Sequence, residues 1–233
     1  MIIVAIDGPA GAGKSTVARS LARHFGLLNL ETGAMYRAFA LKALRAGLAL
    51  DESSDLEKLT VETSIRLEPG EDENRVLLDG EEVTGLIRNP TVTEAASRVS
   101  VFPKIRAWMV GLQQQLGAEG GVVMEGRDIG TVVFPQAEVK IFLDAAPQVR
   151  GQRRFDQISG QPDDRAAVAV PTPEEILRDL RARDERDRNR VDSPLRPAAD
   201  AVLLDSTHLS LDEVVAEAAR IVETKLHSIA AGG

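Results

Sequence analysis

A glycine-rich run near the amino end constrains this chain more than any other feature. Residues 8–15 read Gly-Pro-Ala-Gly-Ala-Gly-Lys-Ser, which fits the phosphate-binding pattern G-x-x-x-x-G-K-[ST]. A β-branched run at residues 2–6 precedes it, and apolar residues at helical spacing follow it. The pattern therefore has the strand and the helix that it requires, and it predicts a site for a nucleoside triphosphate.

The residue types of this run suit phosphate binding. Glycines allow successive backbone N–H groups to turn toward phosphate oxygens, and the start of the following helix adds a partial positive charge. Lys14 has the reach to contact the β- and γ-phosphates, and the Ser15 hydroxyl is a ligand for Mg²⁺. The predicted triphosphate-binding residues of the run are Gly8, Pro9, Ala10, Gly11, Ala12, Gly13, Lys14, Ser15 and Thr16.

Composition excludes several classes of function. The 233 residues suit one domain with insertions or two small domains, and the net charge of −8 provides no overall basic field for nucleic acid or an anionic membrane. The chain has no cysteine, which rules out disulfides, cysteine-ligated metals and thiol nucleophiles. The apolar start lacks a preceding basic region and ends in Asp-Gly-Pro, so it predicts neither a signal peptide nor a membrane span. We expect a soluble, cytoplasmic protein.

Four further short apolar runs predict strands, at residues 27–30, 122–124, 139–143 and 201–204. Helical patterns between them predict a parallel sheet covered on both faces, with ligands beyond the carboxyl ends of its strands. Asp7, the first polar residue after the first strand, is the preferred general base or metal partner over Asp144, which resembles a Walker-B acid in outline. After the third strand, Glu125 or Asp128 could hold Mg²⁺ through water, and Arg127 a phosphate.

Local signals mark an insertion and several helix starts. Alternating polarity over residues 64–84, with Asp79-Gly80 between two runs, predicts a small antiparallel hairpin. Thr91 and Glu94 match a capping box, Pro103 predicts the start of a helix, and residues 160–171 predict a mobile loop. Two further capping boxes are predicted, formed by Thr172 with Glu175 and by Ser210 with Glu213.

Two arginine-rich segments are unusual. Arg150, Arg153 and Arg154 follow the fourth strand and predict a mobile set of cations that closes over a transferring phosphoryl group. Residues 181–190 place Arg183, Asp187 and Arg190 on one helix face. On spacing alone, that face is more typical of a solvated helix with internal ion pairs, and phosphate clamps are the alternative.

Together these motifs resemble the bacterial cytidylate kinases, a branch of the nucleoside monophosphate kinases. The resemblance covers nearly the whole chain in the family's order. Its most specific segments are GRDIGTVVFP at residues 126–135 and RDERDRNR at residues 183–190. The other matching segments are residues 6–15, 32–37, 87–88, 95–97, 102–106 and 140–145.

The resemblance implies a fold and an activity. The expected fold is an α/β P-loop kinase, with a five-stranded parallel sheet flanked by helices, a small antiparallel insertion that binds the nucleoside monophosphate, and a mobile lid. One domain over residues 1–233 would comprise a core of residues 1–60 and 103–233, the insertion at about 61–102 and the lid at about 150–172. The expected reaction transfers the γ-phosphoryl group of ATP to CMP or dCMP with Mg²⁺. The expected partners are these nucleotides, with no nucleic acid and no membrane, and the expected state is a monomer.

The resemblance also implies residue roles. Lys14 and the lid arginines Arg153 and Arg154 are the expected catalytic residues, and Arg150 joins the ATP-binding set. Asp7 is added to the catalytic residues because of its position after the first strand. Ser15 would hold Mg²⁺, with Glu125 acting through water. The expected CMP-binding residues fall into groups for the base (Thr32, Ser97, Arg106, Asp128), the ribose (Arg183, Asp187) and the phosphate (Arg37, Arg127, Arg190), with Tyr36 also near the substrate. Thr32 stands where serine is common, and Glu125 where aspartate is common.

Three alternatives remain open on sequence alone. A small-molecule kinase of the same fold could act on UMP or on a non-nucleotide alcohol. A nucleotide-dependent switch is a second class, but the Asn/Thr-Lys-x-Asp element that reads guanine is absent from the sequence. A nucleic-acid-binding module built on residues 181–190 is a third, and the interleaved acids at 184, 185 and 187 argue against it.

Overall fold

Five parallel strands form the main sheet, as the sequence predicts, and three antiparallel strands form a smaller one. The computed structural model describes residues 1–70, 73–160 and 171–232. A 3-10 turn at Leu86–Arg88 and a π-helical turn at Ile129–Val133 complete the regular structure of these ranges. In chain order the strands and helices are β1 (Ile3–Asp7), α1 (Lys14–Phe25), β2 (Leu28–Glu31), α2 (Thr32–Arg45), α3 (Ser53–Val61), β3 (Ile65–Glu68), β4 (Arg75–Leu78), β5 (Glu81–Glu82), α4 (Pro90–Val99), α5 (Pro103–Leu116), β6 (Val122–Gly126), β7 (Val139–Asp144), α6 (Pro147–Ser159), α7 (Pro173–Arg188), β8 (Val202–Asp205) and α8 (Leu211–Gly232).

The main sheet has the order β2-β6-β1-β7-β8, so β1 lies at its centre between β6 and β7. Every strand extends one or two residues beyond its predicted end, because polar residues still pair with the neighbouring strand there. Asp7 is level with Gly126, Glu31 with Glu125, and Asp144 with Asp205. The carboxyl edge, where ligands of such sheets bind, therefore carries a row of acidic residues.

The predicted hairpin is confirmed in the smaller sheet, which has the order β3-β4-β5. Leu78 pairs with Glu81, and the two residues between them, Asp79 and Gly80, both have positive φ, at 52° and 90°. Two positive φ values suit the tight turn that joins twisted antiparallel strands. The Asp79 carboxylate also accepts a hydrogen bond from the Ser64 backbone N–H at 2.8 Å, which connects the residue before β3 to the residue after β4.

Separate apolar clusters hold the two sheets. One packs α1 and α8 against β1 and β7, with Leu21, Ile141 and Val222 at its centre. Another packs α2, α4 and α5 against the smaller sheet around Phe39 and Met109. Burial of each large apolar side chain of this kind contributes about 1.5–3 kcal/mol to folding stability. Both clusters therefore stabilise the helices and strands on which the polar residues of the site are placed.

One predicted helix start is wrong and three are confirmed. The cap of α4 is Asn89, whose side chain accepts from the Thr91 backbone at 2.8 Å, because Pro90 suits the first helical position. The predicted capping box of Thr91 with Glu94 therefore does not form. Helix α5 begins at Pro103, and the capping boxes of Thr172 with Glu175 and of Ser210 with Glu213 form as predicted.

The predicted segment boundaries lie partly beyond what the structure describes. The mobile loop at residues 160–171 and the middle of the lid at 150–172 fall largely outside the described residues, as do two residues of the insertion at 61–102. The domain boundaries therefore stay predictions. Among the described helices, none combines the length and the apolar character needed to span a membrane.

Candidate active site

The glycine run forms a tight loop between β1 and α1 at the carboxyl edge of the main sheet. Gly8 has a φ of 150°, and a Cβ atom there would lie only 1.9 Å from the Leu143 carbonyl oxygen of β7. Gly11 and Gly13 also have positive φ. Only glycine fits the first position, because the loop lies close against β7 there, and the positive φ values suit a loop whose backbone N–H groups turn toward an anion.

Lys14 is buried at the start of α1, with 5% of its surface exposed. Its ammonium group donates a hydrogen bond to the Pro9 carbonyl at 2.8 Å, so the side chain folds back across the loop. Burial and the positive charge of Arg127 lower the pKa of Lys14 to about 7, although Glu125 opposes the shift. A dianionic phosphate placed here would favour the charged form of the amine.

The lowered pKa of Lys14 predicts that the protein takes up a proton when a triphosphate binds. At pH 8 the amine of the free protein is largely neutral, since the pH lies above its pKa of about 7. Bound triphosphate restores the charge, so we expect wild-type protein to take up close to one more proton per nucleotide bound than the Lys14→Met variant. Calorimetry with a non-hydrolysable ATP analogue, in two buffers of different ionisation enthalpy, measures the difference. Equal uptake by the two proteins would contradict a neutral Lys14.

Ser15 and Glu125 meet beside the loop. The Ser15 hydroxyl donates to a Glu125 carboxylate oxygen at 2.8 Å, and the Thr32 hydroxyl donates to the Glu125 backbone carbonyl, also at 2.8 Å. A hydroxyl and a carboxylate are hard oxygen ligands of the kind Mg²⁺ binds alongside phosphate oxygens and water. The pair that the sequence suggested for the metal is therefore adjacent, and its chemistry fits.

Asp7 has contacts that differ from those expected of a general base. Its two carboxylate oxygens accept the backbone N–H groups of Ile129 and Gly130, each at 2.8 Å. Burial raises the pKa of this carboxyl to about 6, while the two backbone hydrogen bonds act against the shift. Asp7 thus holds the π-helical turn after β6 in place, and these contacts favour a structural role over the predicted catalytic one.

Asp187 joins two of the predicted clamp arginines. One carboxylate oxygen accepts from Arg127 at 2.8 Å and the other from Arg190, with 1% of the side chain exposed. Although burial pushes in the opposite direction, Arg127, Arg190 and Arg183 hold the pKa of Asp187 below its ordinary value. This face of α7 is therefore buried, and the solvated-helix interpretation of it is wrong.

The arginine cluster consists of Arg37, Arg127, Arg183 and Arg190, and its positive charge exceeds the negative charge of Asp187 and Glu31. Burial and the charge of Arg127 lower the pKa of Arg183 to about 10. Within the described residues, the Nε atoms of Arg37, Arg183 and Arg190 are buried without a hydrogen-bond partner. Arg37 also pairs with Glu31 at 2.5 Å. Buried donors that lack acceptors are expected where an anion binds.

The predicted base-binding residues lie together beside this cluster. Arg106 and Asp128 form a buried ion pair, and the Arg106 guanidinium lies 5.9 Å from the centre of the Tyr36 ring. Burial raises the pKa of Tyr36 to about 12. The Ser97 hydroxyl is buried and, among the described residues, makes no hydrogen bond.

Ser100 is a contact that sequence reasoning missed. Its hydroxyl accepts from Arg190 at 3.0 Å and donates to the Ser97 carbonyl at 2.9 Å, and its own carbonyl accepts from Arg106 at 3.2 Å. It therefore links residues predicted to bind the base with a residue predicted to bind the phosphate. Its position one helical turn after Ser97 is the only signal in the sequence that could have indicated it.

The three lid arginines do not form one cluster. Arg150 is buried and bonds to protein carbonyls and Asp184, whereas Arg153 donates to the Ser206 hydroxyl at 3.0 Å and carbonyl at 2.8 Å, after β8. Arg154 contacts the Gln157 side chain at 2.8 Å. Arg150 and Arg153 are held by different segments in this arrangement, and the common clamp on phosphate stays a prediction.

Comparison with known proteins completes the description of the site. The family model described as cytidylate kinase matches residues 4–224, which include every site residue discussed above. The chain belongs to the cytidylate kinase family. A cytidylate kinase of Syntrophotalea carbinolica is 46% identical over 95% of this chain and 92% of that protein. One from Solibacter usitatus is 47% identical over 97% and 94%, and one from Pasteurella multocida is 44% identical over 97% and 96%. The family assignment from the sequence motifs is confirmed.

Proposed function

We propose that the chain transfers the γ-phosphoryl group of ATP to the phosphate of CMP or dCMP, giving CDP or dCDP. Membership of the cytidylate kinase family supports the reaction class and the substrate. The buried Arg106–Asp128 pair beside the arginine cluster is the structural observation that carries the proposal. It offers hydrogen-bond donors and a carboxylate acceptor next to cations that suit a phosphate.

The base-binding residues complement cytosine. Cytosine presents an amino donor together with ring nitrogen and carbonyl acceptors, whereas uracil presents a carbonyl in place of the amine. Asp128 can accept from the amine, and Arg106 can donate to the acceptors. Uracil would bring its carbonyl oxygen against the Asp128 carboxylate. Thr32 and Ser97 supply further hydroxyls nearby.

The acceptor phosphate is assigned to the arginines. Arg37, Arg127 and Arg190 would hold its oxygens, while Arg183 and Asp187 would hold the ribose hydroxyls. A terminal phosphate oxygen of CMP attacks the γ-phosphorus, and the bond to the bridging oxygen of ADP breaks in line with it. The attacking group is already an anion, so positioning and charge neutralisation do most of the work, and a general base is not needed.

The donor is assigned to the glycine loop. Backbone N–H groups of residues 10–13 and the Lys14 ammonium would hold the β- and γ-phosphates, once Lys14 exchanges the Pro9 carbonyl for a phosphate oxygen. Ser15 would bind Mg²⁺, with Glu125 contacting it through water. When bound, Mg²⁺ would neutralise phosphate charge in the transition state. Arg153 and Arg154 remain proposed lid residues that would have to leave their present contacts to take part.

We also propose that the enzyme works as a monomer in the cytoplasm, without a nucleic-acid partner. Within residues 181–190, Arg190 pairs with the buried Asp187, and Arg186 pairs with the partly exposed Glu94. The net charge of −8 gives no attraction to a polyanion. Sedimentation at micromolar concentration tests the monomer.

A panel of acceptors tests the reaction. ADP release from ATP and Mg²⁺ is measured with CMP, dCMP, UMP, AMP, GMP and no acceptor. We expect CMP and dCMP to exceed the other acceptors by roughly tenfold or more in kcat/KM, because a wrong base leaves buried polar groups unpaired. The Lys14→Met variant supplies the background rate. Preference for another acceptor would refute the substrate assignment and leave the triphosphate site standing.

A further inference from the structure

Arg150 on α6 is a charged side chain with only 1% of its surface exposed. Its guanidinium contacts three separate segments. The Nε–H group donates to the Ala145 carbonyl at 2.9 Å, one terminal nitrogen donates to the Ala10 carbonyl at 2.8 Å, and the other pairs with Asp184 at 2.6 Å. A side chain so enclosed has little surface left for a nucleotide.

Two of these contacts lie in different halves of the proposed site. Ala10 belongs to the glycine loop that would hold the phosphates of ATP. Asp184 is buried on α7, next to Arg183 and less than one turn from Asp187, which belong to the acceptor side. Arg150 therefore bonds to the donor loop and to the acceptor helix through one rigid, planar group.

The backbone of Arg150 supports the same loop. A Cβ atom at Gly11 would lie 3.3 Å from both the Cβ atom and the carbonyl oxygen of Arg150. The tip of the loop thus rests on α6 at Gly11 and is hydrogen-bonded to it at Ala10. Movement of α6 or α7 relative to the sheet would carry the loop with it.

We propose that the Arg150–Asp184 pair is a positioning unit, which fixes the loop holding the donor relative to the helix holding the acceptor. The inference rests on the proposed function. It assigns Arg150 a role through the Ala10 carbonyl, in place of the direct contact with ATP that the sequence suggested. Reacting groups must approach to about 3–3.5 Å in line, and a displacement near 1 Å costs about 10²-fold in rate.

A contribution to stability does not by itself explain the buried Arg150–Asp184 pair. Removing two charges from water costs free energy that their attraction often only balances, and well-packed apolar side chains would fill the same space as well or better. A charged fork, unlike an apolar side chain, sets the direction and distance of the carbonyl it binds.

Two conservative substitutions test the proposal. Arg150→Lys keeps the charge but cannot reach three partners at once, and Asp184→Asn keeps the shape but removes the charge. We expect kcat to fall about 10- to 100-fold in each, while the Kd values of the ATP analogue alone and of CMP alone stay within about threefold of wild type. Because both substitutions break one link, the double variant should be about as slow as the slower single variant.

Matched controls lie on the same helix. Arg178→Lys and Asp179→Asn change an exposed pair on α7 that forms no ion pair with the glycine loop or Asp184 within the described residues. Both should retain wild-type kcat. Thermal unfolding of each variant separates loss of fold from loss of alignment, and if Arg150→Lys does not fold, Asp184→Asn decides the question.

Other outcomes would overturn the proposal. Unchanged kcat with a lowered melting temperature would make the pair structural only. Weakened binding of the ATP analogue with unchanged kcat at saturation would restore Arg150 to direct ATP contact. Failure of the proposed function is recognised separately, since the wild-type protein itself would then prefer another acceptor. The ratio of variant to wild-type kcat can be measured with whichever acceptor it uses.

Discussion

Lys14→Met is expected to lower kcat by at least about 10²–10³-fold while leaving the fold intact. The amine is the one cation within the glycine loop, and loss of a single preorganised donor to developing negative charge typically has an effect of this size. Methionine keeps the length and the apolar stem, so the buried environment of the side chain stays filled. The coupled assay of ADP release with saturating CMP measures the rate, and circular dichroism checks the fold.

The matched control for this substitution is Lys58→Met. Lys58 lies on α3, with 77% of its side chain exposed, and its ion-pair partner within the described residues is Asp55 at 2.8 Å. Exposed pairs of this kind contribute little, so wild-type activity is expected. Activity of the Lys14 variant within tenfold of wild type would remove the glycine loop from the mechanism.

The second large effect is expected from Asp187→Asn. This acid is almost completely buried and neutralises Arg127 and Arg190, so its loss leaves guanidinium groups unpaired in a low-dielectric site. Breaking a buried ion pair by removing one partner costs about 3–5 kcal/mol of stability. Urea unfolding at pH 7 measures the loss. The same substitution should lower kcat/KM for CMP, because Asp187 is a proposed ribose contact.

Two further measurements make this prediction specific. The folded-state pKa of Asp187 is lowered, so its stabilising contribution is fully present above the unfolded pKa of about 3.9 and is lost as the pH falls from there through the lower folded-state pKa. The difference between variant and wild type should therefore shrink in acid. Bound CMP should restore part of the lost stability, since its phosphate supplies the missing negative charge.

Asp179→Asn is the control on the same helix. Its side chain is 77% exposed, and unchanged stability is expected. Equal, small effects of the two substitutions would mean that the arginine cluster does not depend on Asp187 for neutralisation.

Sequence patterns predicted the elements that depend on local signals. The five strands of the main sheet are runs of apolar residues, and the hairpin at Asp79-Gly80 has the residue types that its backbone geometry requires. Arg183 and Asp187 share a face of α7, as helical periodicity predicts, whereas Arg190 lies two residues beyond the end of that helix. At the start of α4 the capping-box pattern indicated Thr91, but Asn89 caps the helix, because Pro90 suits the first helical position.

Contacts between distant segments could not be predicted in this way. Arg150 lies 140 residues from the loop carbonyl it binds, and its spacing from Arg153 and Arg154 suggested a common phosphate clamp. Periodicity places a side chain on a face of its helix but does not indicate which segment packs against that face. For the same reason, nothing local indicated that Glu94 would pair with Arg186 from α7, 92 residues away, once the predicted cap failed to form.

The central position of β1 has a consequence for synthesis on the ribosome. Ile3 pairs with Val122, so about 120 residues must be translated before the first neighbour of this strand exists. At roughly 5–20 residues per second, that interval lasts roughly 6–24 s. Throughout it, an apolar segment made to be covered on both faces has no partner strand, and the nascent chain must rely on transient contacts or a chaperone to protect it from association.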